Sequence, residues 1–227
     1  MKNETLTKTD NVNMARRSFL RYAGVGVAGM GLLATAASCH KDHDVNPNSG
    51  FTDVGTGDIG ILNYAYALEQ LEAAFYIQVV ATPYSGITST ELNYLTEIRD
   101  HEVAHREFFK AALGTKAIKA LTPDFGAINF NSRASVLGAA KAFEDLGVTA
   151  YDGVGYLIQT PAYLSIAGAI VSVEARHASL IANLLGVSFV DSTQVDANGL
   201  NISNKPSVVL KTANTYLKTK VSAVNFS

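Results

Sequence analysis

Apolar residues recur at three- and four-residue intervals through four long stretches between residues 59 and 186, which predicts four helices. The first runs from about Ile59 to Ala81; Asn63, Gln70 and Gln78 cluster on its helical wheel as the expected wet side. The second runs from Glu91 to Leu113, with Leu95, Ile98 and Phe109 on its stripe, Ser89 or Thr90 placed to cap its start and Gly114 to end it. Ser132 caps the third, which runs to about Ile158; Gly138, Gly147, Gly153 and Gly155 cost it propensity and leave room for close packing. Pro161 opens the fourth, which ends at Gly186. The short connection Thr82–Ser89 makes helices 1 and 2 antiparallel neighbours, and Gln159–Pro161 turns the chain tightly between helices 3 and 4. Thr115–Asn131 is longer, enough to cross from one end of a bundle to the other. After a loop over Val187–Lys205, the spacing of Val208, Val209, Ala213, Tyr216 and Leu217 predicts a fifth, amphipathic helix over Pro206–Val221. The expected class is all-α.

The fourth stretch raises a question of chemistry. From Pro161 to Leu185 its only charged residues are Glu174 and Arg176. Glu174 and His177, three apart, share a helical face with Ala167, Ile170, Ile181 and Leu184, so both point toward a core. Burying a carboxylate with an imidazole is costly unless something pairs them, and a metal ion is the common solution. A hydrogen-bonded Glu/His/Tyr network without metal is the plain alternative. Glu102 and His105 repeat the spacing on the second helix. Glu69 and Glu144, on the first and third, each have a Leu two residues on and a Tyr seven on, Tyr76 and Tyr151. The chain therefore repeats itself: a Glu…Tyr helix, then a Glu-x-x-His helix, twice.

Several neighbours complete the set. Glu72 also faces inward, as an extra ligand or as a partner of Arg176 or Arg106, but in the repeat it is matched by Gly147, whereas Glu69 is matched by Glu144. Tyr76 and Tyr151 either bond across the bundle to the opposite carboxylates or pack as core aromatics. His101 lies on the flank of the stripe. His101-Glu102-Val103-Ala104-His105 also spells H-E-x-x-H. In that reading His101 and His105 bind zinc, Glu102 is the base of a peptidase, and Glu174 or His177 is the third ligand. It leaves Glu69, Glu144 and one Glu-x-x-His without a role.

The phrases Leu68–Tyr76, with its Leu-Glu-x-Leu-Glu-Ala-x-Phe-Tyr order, and Val173–His177, Val-Glu-Ala-Arg-His, resemble the ferritin-like superfamily of di-iron and di-manganese carboxylate bundles. The nearer resemblance is to the exported bacterial ferritin-like type related to plant desiccation proteins, over about Asp58–Gly186. It implies a four-helix bundle with its long crossover between helices 2 and 3. It implies Glu69, Glu102, His105, Glu144, Glu174 and His177 as metal ligands, with Glu72, His101, Arg176, Tyr76 and Tyr151 as extra ligands or supports. Hard carboxylate oxygens with imidazole and no thiolate suit two Fe or Mn ions, with Zn an option. Four carboxylates and two neutral imidazoles also balance two divalent cations. Two functions follow from the resemblance: redox chemistry with peroxide or O2, as in ferroxidase, peroxidase or catalase relatives, or non-catalytic metal binding and stress protection in the envelope.

Residues 1–39 read as a targeting segment. Arg16-Arg17 begins a twin-arginine pattern, an apolar run covers Tyr22–Ser38, and Ala36-Ala37-Ser38-Cys39 resembles a lipoprotein cleavage box. Cys39, the chain's only cysteine, is the expected lipid site, so a membrane anchor in the cell envelope is expected and a disulfide framework is excluded. Residues 40–57 read as a flexible linker, where His40, Asp42, His43 and Asp44 belong to a solvated tether. The bundle then occupies 58–186, and 187–227 form a loop and helix packed on it. The whole chain of 227 residues has a net charge of −2. Residues 1–39 hold five Lys and Arg against two Asp and Glu, leaving 13 basic and 18 acidic residues beyond them. That acidic balance gives nucleic-acid binding no electrostatic support.

Overall fold

A computed structural model describes residues 50–226. Arg16, Arg17, Cys39 and the tether residues His40–Asp44 lie outside the described residues. Within them the chain forms β1 (Phe51–Asp53), α1 (Gly57–Ala81), α2 (Ser89–Leu113), α3 (Arg133–Val154), α4 (Pro161–Leu185), α5 (Pro206–Ala213) and β2 (Lys220–Ser222). The four long helices pack as two pairs, α1 with α2 and α3 with α4, and the pairs meet through α1–α3 and α2–α4. A crossover joins α2 to α3, and α5 packs chiefly on α3. The fold is all-α but for the short parallel pair β1–β2, in which Thr52 faces Val221.

Local chemistry sets the helix ends. Thr88, one residue before the expected caps, starts α2 through a capping box with Glu91, whose carboxylate reaches back to the Thr88 amide. Glu91 also accepts from Arg133 at the start of α3 (Nε, 2.8 Å), and Arg133 donates to the Leu184 carbonyl near the end of α4 (2.7 Å). One guanidinium thus ties three helix ends together. Ser132 caps α3, Pro161 opens α4, and Gly186 closes α4 in the left-handed conformation. By length and composition α4 is apolar enough to cross a membrane. In the bundle it turns Glu174 and His177 inward.

Three expectations need correction. Asn63 and Gln70 are buried, not wet; only Gln78 of that trio is exposed. Asn63 accepts from the Ile118 amide (2.9 Å) and donates to the Lys116 and Val54 carbonyls, while Gln70 accepts from the Leu121 amide (2.9 Å). The crossover has no ladder of its own there, so amide side chains of α1 satisfy its backbone. The fifth helix stops at Ala213 instead of reaching Val221. The Asn214 side chain accepts from the Val221 amide and donates to its carbonyl, folding the chain back toward β2 in competition with further helix. Finally, Phe51–Asp53, within the stretch expected to be linker, is a strand followed by the fully buried Val54.

Gly153 has a packing reason. A Cβ there would lie 1.9 Å from the Asn204 carbonyl oxygen, so only glycine lets the segment before α5 bond to α3, through the Asn204 amide and Thr149 carbonyl (3.0 Å).

Candidate metal centre

Each long helix carries one carboxylate to the same point, since its polar residue interrupts an apolar face that the bundle buries. Glu69 from α1, Glu102 from α2, Glu144 from α3 and Glu174 from α4 are all fully buried, and His177 is 4% exposed. His105 is the most open member.

The side chains form two overlapping quartets. Glu69, Glu102, Glu174 and His105 converge at one position; Glu102, Glu144, Glu174 and His177 converge at the other. His105 Nδ1 lies 3.5 Å from Glu69 Oε2, 3.7 Å from Glu102 Oε2 and 2.8 Å from Glu174 Oε1. His177 Nδ1 lies 2.8 Å from Glu102 Oε1, 3.4 Å from Glu144 Oε2 and 3.7 Å from Glu174 Oε2. Glu102 and Glu174 therefore present one oxygen to each position, as bridging carboxylates would. Glu69 and Glu144 each serve one position only.

The outer oxygens of Glu69 and Glu144 are held crosswise. Tyr76 of α1 donates to Glu144 Oε1 of α3 (2.5 Å), and Tyr151 of α3 donates to Glu69 Oε1 of α1 (2.5 Å). Burial, then the charge of the partner carboxylate, pushes both phenols well above their ordinary range, so both remain donors. Tyr76 and Tyr151 thus bond across the bundle.

Whether a metal pair fits can be judged from the atoms left over. Buried atoms with no hydrogen-bond partner in the protein include Glu69 Oε2, Glu102 Oε2, Glu174 Oε1 and His105 Nδ1 at one position. At the other they include Glu102 Oε1, Glu144 Oε2, Glu174 Oε2 and His177 Nδ1. The imidazole–carboxylate contacts are short, but none has hydrogen-bond geometry. Buried polar atoms are rarely left so. Here they point inward in two sets of four, of oxygen and imidazole nitrogen only, a donor set for hard or borderline divalent ions. The residues fit a dinuclear centre.

Electrostatics agree with that crowding. Burial, reinforced by Glu174, raises Glu102 to about 7. Burial outweighs the pull of the His177 ring, 3.4 Å away, and raises Glu144 to about 8. Glu174 goes the other way: burial opposes its charge, but His105 and His177 beside it bring it to about 2. Burial works against charge on His177, yet Glu102, Glu144 and Glu174 hold it up at about 12; His105 is raised for the same reason.

The flanking residues divide. Glu72 is buried and, by burial and then the charges of Glu102 and Glu174, held well above the ordinary carboxylate range, but it joins neither quartet. It occupies the room left by Gly147, whose Cβ would lie 3.1 Å from Glu72 Oε1. Neither expected partner reaches it: Arg176 is exposed, and Arg106 pairs with Glu107. His101 is exposed and joins His105 in neither quartet; its Nδ1 lies 2.9 Å from His177 Nε2 instead. That contact was missed from sequence, whereas Gly147 does leave room for close packing, as expected of it. The signal available was the place where the repeat breaks: His101 against Val173, Glu72 against Gly147.

An apolar pocket between Ile61, Leu62, Phe109, Val154 and Ile166 reaches Tyr151, one side chain from Glu69. Compared with known families, residues 57–187 match a family model described as a ferritin-like domain. No curated protein matches the chain.

Proposed function

The chain belongs to the ferritin-like domain family, and on that premise we propose that it is a dinuclear Fe or Mn protein that exchanges electrons with peroxide or O2. The observation that carries this is the two sets of four unpartnered buried atoms, joined by the shared carboxylates Glu102 and Glu174. Bound there, two such ions would supply paired one-electron oxidations, the two electrons that reduction of one peroxide to water requires.

The protein's own groups have defined parts in that chemistry. Glu69 and His105 hold one position, Glu144 and His177 the other, and Glu102 and Glu174 span them. Tyr76 and Tyr151 keep the two terminal carboxylates oriented. Glu72 stands outside both quartets, so it is four carboxylates that face the two divalent charges, which leaves their cluster near neutral. The apolar pocket at Tyr151 offers a small apolar oxidant a place close to Glu69.

The test is consumption of peroxide and O2 by Fe(II)- or Mn(II)-loaded protein against the same metal in buffer. The reading expects a faster reaction with protein, and loss of the excess in Glu144→Ala. The complete burial of all four carboxylates favours a second reading, a closed, non-catalytic metal-binding protein of the stress-protection type. Metal-loaded protein no faster than free metal would select it. Location is part of the proposal: Arg16-Arg17 and Cys39 support export of the folded protein by the twin-arginine route and a lipid anchor in the cell envelope. The phrases Leu68–Tyr76 and Val173–His177 support the exported, desiccation-related type.

A further inference from the structure

The two halves of the centre match in carboxylates and imidazoles but differ in what stands behind each imidazole. His177 turns Nδ1 toward Glu102, Glu144 and Glu174, and its Nε2 lies 2.9 Å from His101 Nδ1. The two rings are nearly parallel, at 10°, with centroids 5.2 Å apart. If His177 Nδ1 gives its lone pair to a metal, its hydrogen must be on Nε2, and His101 Nδ1 must accept it. A single hydrogen bond then sets the tautomer and the plane of the ligating ring. His101 is the residue before Glu102; the residue before Glu174 is Val173, which has no hydrogen-bonding side chain. Among the described residues His105 has no imidazole hydrogen-bonded to its ring.

Resting on the dinuclear reading, we propose that His101 is a positioning residue for the His177 position alone, and that it makes the two metal positions unequal. The ion held by Glu102, Glu144, Glu174 and His177 binds first and more tightly. The ion held by Glu69, Glu102, Glu174 and His105 binds second. The physical reason is that an acceptor behind a ligating imidazole holds the ring in place and raises the basicity of the ligating nitrogen. Removing such a partner commonly lowers metal affinity by about 10–100-fold. Because His101 is exposed, its replacement removes no buried side chain from the core.

Anaerobic Co(II) titration of the full chain, read by calorimetry and by the visible absorption of the bound ion, tests this. The wild-type protein should take up Co(II) in two steps of unequal affinity. In His101→Leu the tighter step should weaken by about 10–100-fold, with the other step unmoved. His101→Asn places an oxygen where Nδ1 stood, and should recover most of the lost affinity. Two indistinguishable steps in wild type, no change in His101→Leu, equal weakening of both steps, or no recovery in His101→Asn would each overturn the proposal while leaving the dinuclear reading standing. A wild-type chain that takes up no Co(II) would sink the dinuclear reading itself, and the proposal with it.

Discussion

Replacing Tyr76 with Phe removes one oxygen from the core and should weaken metal binding without emptying the site. The lost group is a buried donor to Glu144 Oε1, at 2.5 Å. Its value depends on whether Glu144 is ionised. Burial raises Glu144 to about 8, so at pH 7 without metal it is mostly a neutral acid. A hydrogen bond to a neutral group contributes about 0.5–1.5 kcal/mol, whereas one to a charged group contributes about 1.5–3 kcal/mol. A bound cation requires the ionised carboxylate, so metal-loaded Tyr76→Phe loses about 1–1.5 kcal/mol more than metal-free Tyr76→Phe. That difference is about a tenfold drop in affinity at the His177 position. The midpoint of thermal unfolding should fall by about 2–4 °C without metal and about twice that with it. Paired melting curves and a metal titration measure both. Equal losses with and without metal, or unchanged affinity, would refute the reasoning, because they would mean that the phenol does not support a ligating carboxylate.

The site should bind metal more tightly as pH rises: Glu102 at about 7, Glu144 at about 8 and His177 at about 12 hold protons that a cation must displace. Titrations between about pH 6 and 8 should show about a tenfold gain per unit for each proton released; flat affinity would count against the cluster as the site. Gly153→Ala should destabilise by at least about 2 kcal/mol through overpacking, because the new methyl meets the Asn204 carbonyl. Gly138→Ala, with nothing within 4 Å, should change little or stabilise; equal effects in chemical denaturation would contradict this packing account. Cys39→Ser should abolish lipid labelling and release the protein from the membrane, and Lys at Arg16 and Arg17 should trap precursor in the cytoplasm; unchanged anchoring of the Cys39 variant would end the lipoprotein proposal.

The four helices were legible because each long apolar stripe is broken by few polar residues, and those residues repeat at fixed offsets. Glu69 could be set apart from Glu72 by the same repeat, and the two do differ in place: Glu69 lies in a quartet and Glu72 beside it. What pattern could not show was pairing between distant parts. Asn63 and Gln70 looked like a wet face because polarity alone does not distinguish water from a crossover backbone as the hydrogen-bond partner. The β1–β2 pair is three residues a side and lies at the two ends of the described chain, too short for period-two alternation to register. Asn214 ends α5 early through bonds to Val221, seven residues on at the far end of the expected helix. The His101–His177 contact joins residues 76 apart, and a helical wheel could only put His101 on the flank.

Metal content per chain tests the central claim most directly. Wild-type protein, Glu69→Ala, His177→Ala and His101→Ala would be loaded anaerobically with Fe(II), freed of excess, and measured by elemental analysis against protein concentration. The account predicts two ions per wild-type chain, fewer in Glu69→Ala and His177→Ala, and retention of at least one ion in His101→Ala. A single ion per wild-type chain, kept in Glu69→Ala and lost in His101→Ala, would contradict it.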